Sequence, residues 1–407
     1  MISLNRRVLK SILLVVLISC LVLIPINFSG GQTISHVISH EKHSLLLWEL
    51  KFLPKKILYS ISEIIFPFDN KNIQIKKSIE IINDYIEINE QVRKYNREYE
   101  YTVISNINVE TNDDRKKEIQ VYINQLEQKQ LVTENALEEI VSKAIKEYDI
   151  SIFPKILFPP VLISIEEPPS LLILSPRNEI KLEKTILLKS NSSIPDKYKI
   201  EETIENIENK SALITDISGL STFPATVKIK NLESTLSTTA HEWFHNYMIF
   251  KPLGRSYFKN DELKTINETA ANIFGDEIAK YILEIEPDKN LQNSELSKRC
   301  SRPDFCFGLE MNETRSTTEK YLNEGKVYEA EEYMNKRQKL FLKNGYIIRK
   351  LNQAYFAFHG IYADSPSSKS TVFEELTNIR KNSNSLSDFI KKIENISTEN
   401  DYQQLIK

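Results

Sequence analysis

Two histidines one helical turn apart, His241 and His245, with Glu242 beside the first, constrain this chain more than any other feature. They lie in Thr239-Ala240-His241-Glu242-Trp243-Phe244-His245. Leu232, Leu236, Ala240, Phe244 and Met248 recur every four residues around them, so the spacing predicts an amphipathic helix that ends before Lys251-Pro252. On such a helix both imidazoles project from one face and reach a single metal ion. Glu242 then stands where its carboxylate can take a proton from a water polarised by that ion. With six histidines in 407 residues, chance gives an HExxH pattern in about one such chain in a hundred or fewer. The competing reading is a surface helix with two incidental histidines. It is weakened by Trp243 and Phe244, which bury the helix and make unpaired imidazoles costly to desolvate.

A tetrahedral zinc site needs a third protein ligand. Beyond a loop containing Pro252 and Gly254, Asp261 is placed to cap a second helix whose apolar face carries Leu263, Ile266, Ala270, Phe274 and Ile278. Glu268 falls within it, in Asn267-Glu268-Thr269-Ala270-Ala271. Small residues at 270, 271 and 275 allow this helix to approach the first closely, which aims Glu268 at the ion. A solvated helix glutamate is the bland reading of Glu268 taken alone.

His241-Glu242-x-x-His245 followed by Asn267-Glu268 on the next helix resembles the gluzincin metallopeptidases, the group that includes thermolysin-like and aminopeptidase-N-like enzymes. The likeness covers about 45 residues around the motif and implies a zincin-like domain that hydrolyses peptide bonds with Zn2+. The interval from His245 to Glu268 is slightly longer than is usual there. Gluzincins often carry an aspartate four residues after the third ligand, to orient a zinc-bound histidine. Here that position is Asn272, which can accept an imidazole N–H bond but has no charge; Asp276, one turn on, is the substitute the sequence offers. The resemblance also implies an edge strand above the motif helix that pairs with an extended substrate. Residues 217–225 are the candidate, with Gly219 for close approach and Pro224 marking an edge; an ordinary edge strand with a turn is the equal alternative.

Hydrolysis also needs a group that stabilises the oxyanion. Tyr257 lies between the two ligand helices, where gluzincins often keep a tyrosine in that role. His359 is the one histidine outside the N-terminal region and the motif helix, in an apolar segment over residues 351–360. A lone histidine there is more often a satisfied core residue. Tyr355 and Tyr362 stand behind these two.

The compartment is read from the N-terminus. Arg6, Arg7 and Lys10 precede an apolar run over residues 11–28, long enough to cross a bilayer as a helix with its basic flank in the cytoplasm. A cleaved signal peptide ending near Ser29-Gly30-Gly31 is the alternative, and both export the chain. Cys300 and Cys306, around a proline, suit a small disulfide loop in an oxidising compartment. Fifty-three basic and 56 acidic residues are interspersed, with no basic block to neutralise phosphates, so nucleic acid is not expected as a partner. Nine glycines without GxGxxG or GxxxxGK[ST] exclude a dinucleotide or phosphate-loop enzyme. His36, His40 and His43 share a helical face, but only Glu41 is acidic nearby, and a plain surface is the preferred reading.

The organisation expected is α+β and mostly helical. Residues 1–31 form the membrane anchor. Residues 32–150 form a juxtamembrane stretch, amphipathic over 43–66 and suited equally to a lipid surface or to an ordinary core helix, followed by a helical hairpin broken near 106–114. Residues 151–407 form the zincin-like domain: a small mixed sheet from the apolar runs at 161–165, 171–174, 180–189 and 212–229, then helices with loops at 251–260, 287–318 and 363–371. The expectation is a single-pass membrane protein with an extracytoplasmic zinc site acting on peptide or protein substrates. A non-peptide amide or ester hydrolase of the envelope, and a tethered helical scaffold with a structural or lost metal site, are the alternatives.

Overall fold

The hydrophobic spacing between Ile79 and Ile145 produces two long helices, α2 (Gln74–Ile104) and α3 (Asp113–Glu147), packed side by side as the expected hairpin. The computed structural model describes residues 32–39, 41–45, 48, 74–105, 113–153, 157–190, 192–285 and 305–407. The apolar run at 11–28, most of the amphipathic stretch to 66, His40, Cys300 and the break at 106–112 lie outside the described residues. No helix among the described residues is long and apolar enough to cross a membrane. A short helix, α1 (Gln32–Val37), precedes the hairpin, and Ile34 and Ile38 pack into a cluster with strand residues Leu172, Leu174, Ile186 and Leu188.

Two three-stranded sheets form where a single sheet was expected. The runs at 161–165 and 171–174 are separated by Glu166-Glu167-Pro168-Pro169, and the two prolines supply no N–H donors for a tight hairpin. The chain leaves one sheet and enters another. Strand β1 (Ile163–Ile165) pairs in parallel with β6 (Ala225–Val227), which pairs antiparallel with β5 (Gly219–Leu220), so this sheet is mixed. Strand β2 (Ser170–Pro176) is the centre of an antiparallel sheet, between β3 (Lys184–Leu188) and β4 (Lys210–Asp216). Between β3 and β4 runs a helix the sequence reading did not expect, α4 (Ile194–Glu208). Its signals were local: Ser193 caps Asp196 N–H, and Pro195 stands in the first turn.

The site helices follow, α5 (Leu232–Met248), the short α6 (Pro252–Arg255) and α7 (Asp261–Ile285). The rest is helical: α8 (Phe307–Asn323), α9 (Val327–Lys343), α10 (Gln353–His359), α11 (Val372–Lys381), α12 (Leu386–Ile393) and α13 (Glu399–Leu405). Helix α8 occupies part of the span expected as a loop to 318, while 363–371 is turn structure as expected. Cys306 is disulfide-bonded.

The main core joins α3, β1, β6, α5, α7 and α11 to α13, so the hairpin is built into the body that carries the site. Leu137, Ile140, Val141 and Ile145 of α3 are buried there beside Leu236, Phe244 and Phe274. Helix α3 also closes one edge of the mixed sheet. The buried carboxylates of Glu138 and Glu134 accept from the β1 amides of Ile163 (2.8 Å) and Ile165 (2.9 Å), and Gln130 donates to Ile165 O (2.9 Å). Side chains thus take the place of a neighbouring strand.

Candidate metal centre

Helix α5 begins at Asn231, whose side chain accepts from Ser234 N–H at 2.8 Å. Leu236, Ala240, Phe244 and Met248 are fully buried, and Phe244 packs on Phe274 of α7 with ring centroids 5.1 Å apart, which brings the adjacent stripe, with His241 and His245, beside α7. The cap of α7 is Asn260, which accepts from Leu263 N–H at 2.8 Å, and Asp261 is the first helical residue instead of the cap the sequence suggested. Helices α5 and α7 make the most extensive helix–helix contact among the described residues. Gly275 explains how close they come. A Cβ there would stand 2.5 Å from the Ser237 carbonyl oxygen and 3.3 Å from His241 Cβ. Ala270 and Ala271 are fully buried along the same helix.

This packing gathers three donors. His241 Nε2 and His245 Nε2 are 3.0 Å apart, and Glu268 Oε2 lies 3.5 Å from the first and 3.6 Å from the second. A tetrahedral ion with ligand bonds of about 2.0–2.1 Å has donors about 3.3–3.4 Å apart along its edges. The three separations bracket that length, so the residues fit a zinc ion without rearrangement. Among the described residues this is the group of three suited to a metal; His36 is exposed and belongs to no such group.

Around the donors each neighbour has a definite partner. The Tyr257 hydroxyl donates to Glu268 Oε1, leaving Oε2 for the centre. Lys264 stands over the Tyr257 ring at 5.4 Å. Asn272, four residues after Glu268, donates its Nδ2 to Asp364 Oδ1 at 2.9 Å. Asp276, offered by the sequence as the orienting carboxylate, instead accepts from Ser237 Oγ at 2.8 Å.

The electrostatics favour positive charge at the centre. Burial pulls the His241 pKa down, but its hydrogen bond to Glu268 and the charges of Glu242 and Glu268 outweigh that and hold it at about 9. Burial pushes Glu268 up, yet His245 and His241 bring its carboxyl well below the usual range. Glu242 moves the other way: burial raises it, and the two imidazoles only partly offset the rise. Tyr257 and Tyr362 are both raised by burial and by the nearby carboxylates of Glu268 and Glu242.

Strand β5 lies over this centre. A Cβ on Gly219 would sit 2.8 Å from Cγ and Cδ of Glu242, so glycine lets the strand pass this close with the Glu242 carboxylate left in place. β5 pairs with β6 alone, which leaves its other edge without a strand among the described residues. Pro224 does not mark that edge; it precedes β6, the central strand.

Four of the sequence-derived candidates, His241, Glu242, His245 and Glu268, therefore meet, with Tyr257 against them. His359 does not join them. Its ring packs on Tyr355 at 4.2 Å, and burial alone lowers its pKa, to about 4, with no influence from Glu242 or Glu268. Asp364 was missed. It is 92 residues from its partner in sequence, and no local pattern announces it.

Compared with protein-family models, with curated proteins and with solved structures, the chain matches none.

Proposed function

We propose that the chain is a zinc-dependent peptidase of the gluzincin kind, with a zincin-like catalytic domain tethered outside the cytoplasm by its N-terminal apolar run. The observation that carries this reading is the triangle of His241, His245 and Glu268 donors at tetrahedral spacing with Glu242 buried alongside. Zinc held there would polarise a substrate carbonyl and make water acidic enough to attack at neutral pH.

The chain's own groups do the remainder. Glu242 accepts the proton of the attacking water and passes it to the departing amine; burial raises its pKa toward the range a proton shuttle needs. Both Tyr257 and Tyr362 lie in the field of Glu242 and Glu268, and Tyr362 is the oxyanion donor we favour because the Tyr257 hydroxyl is engaged by Glu268. A peptide substrate is favoured because the β5 edge stands over Glu242 and can pair with an extended backbone.

Glu242→Gln tests this reading. The variant is expected to retain zinc at the level of the unmodified protein and to lose hydrolysis of a peptide library. Undiminished hydrolysis by the variant, or no chelator-sensitive cleavage by the unmodified protein, would refute it. A structural zinc has no need of Glu242, so the variant separates that reading too.

A further inference from the structure

We propose, on the peptidase reading above, that Lys230 and Ser218 form a subsite selecting a substrate residue with a side-chain carboxylate, held on the open edge of β5. The strand supplies the position. Gly219 faces Glu242, and successive side chains of a strand point to opposite faces. Ser218 therefore presents its hydroxyl on the other face of the mixed sheet. Lys228 N–H donates to Ser218 O at 2.8 Å, which extends the β5–β6 ladder through Ser218.

The Lys230 ammonium donates to Ser218 Oγ at 2.6 Å. No carboxylate among the described residues pairs with it, and the charges acting on it are those of Lys228 and Arg93, both positive. Those two cations have partners of their own, Glu167 at 2.6 Å and Glu90 at 3.0 Å. A partly buried ammonium without a counter-charge is costly to keep, and an arriving carboxylate relieves that cost. Burial and the two neighbouring cations lower the Lys230 pKa, in keeping with this. The backbone here is fixed from both sides. Lys230 N–H donates to Thr235 Oγ1 of α5 at 3.1 Å, and Asn89 of α2 donates to Ile229 O at 3.1 Å.

A peptide paired with the open edge of β5 puts one residue beside Gly219, over Glu242, and its sequence neighbour beside Ser218. Cross-strand neighbours have Cβ atoms about 4.5–5.5 Å apart. An Asp or Glu side chain beside Ser218 thus reaches both the hydroxyl and the Lys230 ammonium. A carboxylate only accepts, while both of these groups can donate, so charge and hydrogen-bonding capacity match. A Lys or Arg side chain in the same place would meet Lys230 instead. The favoured substrate is an extended peptide with an acidic residue next to the one held over Glu242.

The test measures kcat/KM of the full chain on pairs of C-terminally amidated peptides that differ only in Glu against Gln beside the cleaved bond. The unmodified chain is expected to favour the Glu peptide about 10-fold, the lower end for a hydrogen bond to a charged group. Lys230→Met is expected to abolish that preference, and Lys230→Glu to favour a Lys peptide over its Gln counterpart. A lysine that only braces β5 would lower all peptides alike and leave the preference in place, which would overturn the proposal. Equal cleavage of the Glu and Gln peptides by the unmodified chain would overturn it too. The same pairs with free C-termini separate the other source of a carboxylate. A preference confined to them would assign the ammonium to the chain terminus and contradict the side-chain subsite. No chelator-sensitive cleavage of any peptide would instead sink the peptidase reading itself, an outcome distinct from a missing preference.

Discussion

Glu268 is gripped at both oxygens, one receiving the Tyr257 hydroxyl and the other facing the two imidazoles. Tyr257→Phe removes the first contact and lets the carboxylate rotate. Zinc affinity measured by chelator competition is expected to fall about 10-fold with little change in unfolding midpoint. Gly219→Ala probes the other side of the centre. The added methyl must displace the Glu242 carboxylate, since the flexible side chain yields before the strand does. The expected outcome is a loss of about 100-fold in peptide hydrolysis with zinc content unchanged, because a displacement of about 1 Å is enough to cost that much. At this scale most of the site was legible. Imidazoles four residues apart on an apolar helix, and a carboxylate among small residues on the next, are local patterns that the helical period places in space. Asp364 was not legible as a partner of Asn272, because a turn 92 residues downstream brings it in and tertiary packing alone sets that meeting; Tyr362 on the same turn was named only behind Tyr257 and His359.

The elements show the same division. Periodicity gave α5, α7 and the α2–α3 hairpin, each long enough for its apolar face to repeat several times. It failed for the sheets, since runs of three to seven residues carry no information about which run they pair with. The close α5–α7 contact is the element-level basis of the site. Gly275→Val would force a side chain against the Ser237 backbone, which cannot rotate away. It is expected to cost about 1–3 kcal/mol in urea unfolding and to weaken zinc in the same protein by spreading the donors. Helix α3 is expected to matter for a different reason. Glu138→Ala leaves the buried Ile163 N–H without its acceptor, a loss of about 1–3 kcal/mol, again read from urea unfolding. Stability unchanged by this substitution would mean that α3 does not close the edge of β1.

Over the whole molecule, one core runs from the hairpin through the mixed sheet to the C-terminal helices, and the apolar faces of α5 and α7, the helices that carry His241, His245 and Glu268, lie within it. A metal bound only by the folded arrangement stabilises that fold, by about 4 kcal/mol when free metal is near 1,000 times its dissociation constant. Chelation is therefore expected to lower the thermal midpoint of the unmodified chain and to leave that of His241→Ala unmoved. Scanning calorimetry of both proteins makes the comparison. The most direct measurement of the central claim is X-ray absorption at the zinc edge of the purified full chain. The expected result is one zinc per chain, with two imidazole nitrogens and a carboxylate oxygen within about 2.0–2.2 Å. A folded chain that carries no zinc, or a zinc shell without two imidazoles, would contradict it.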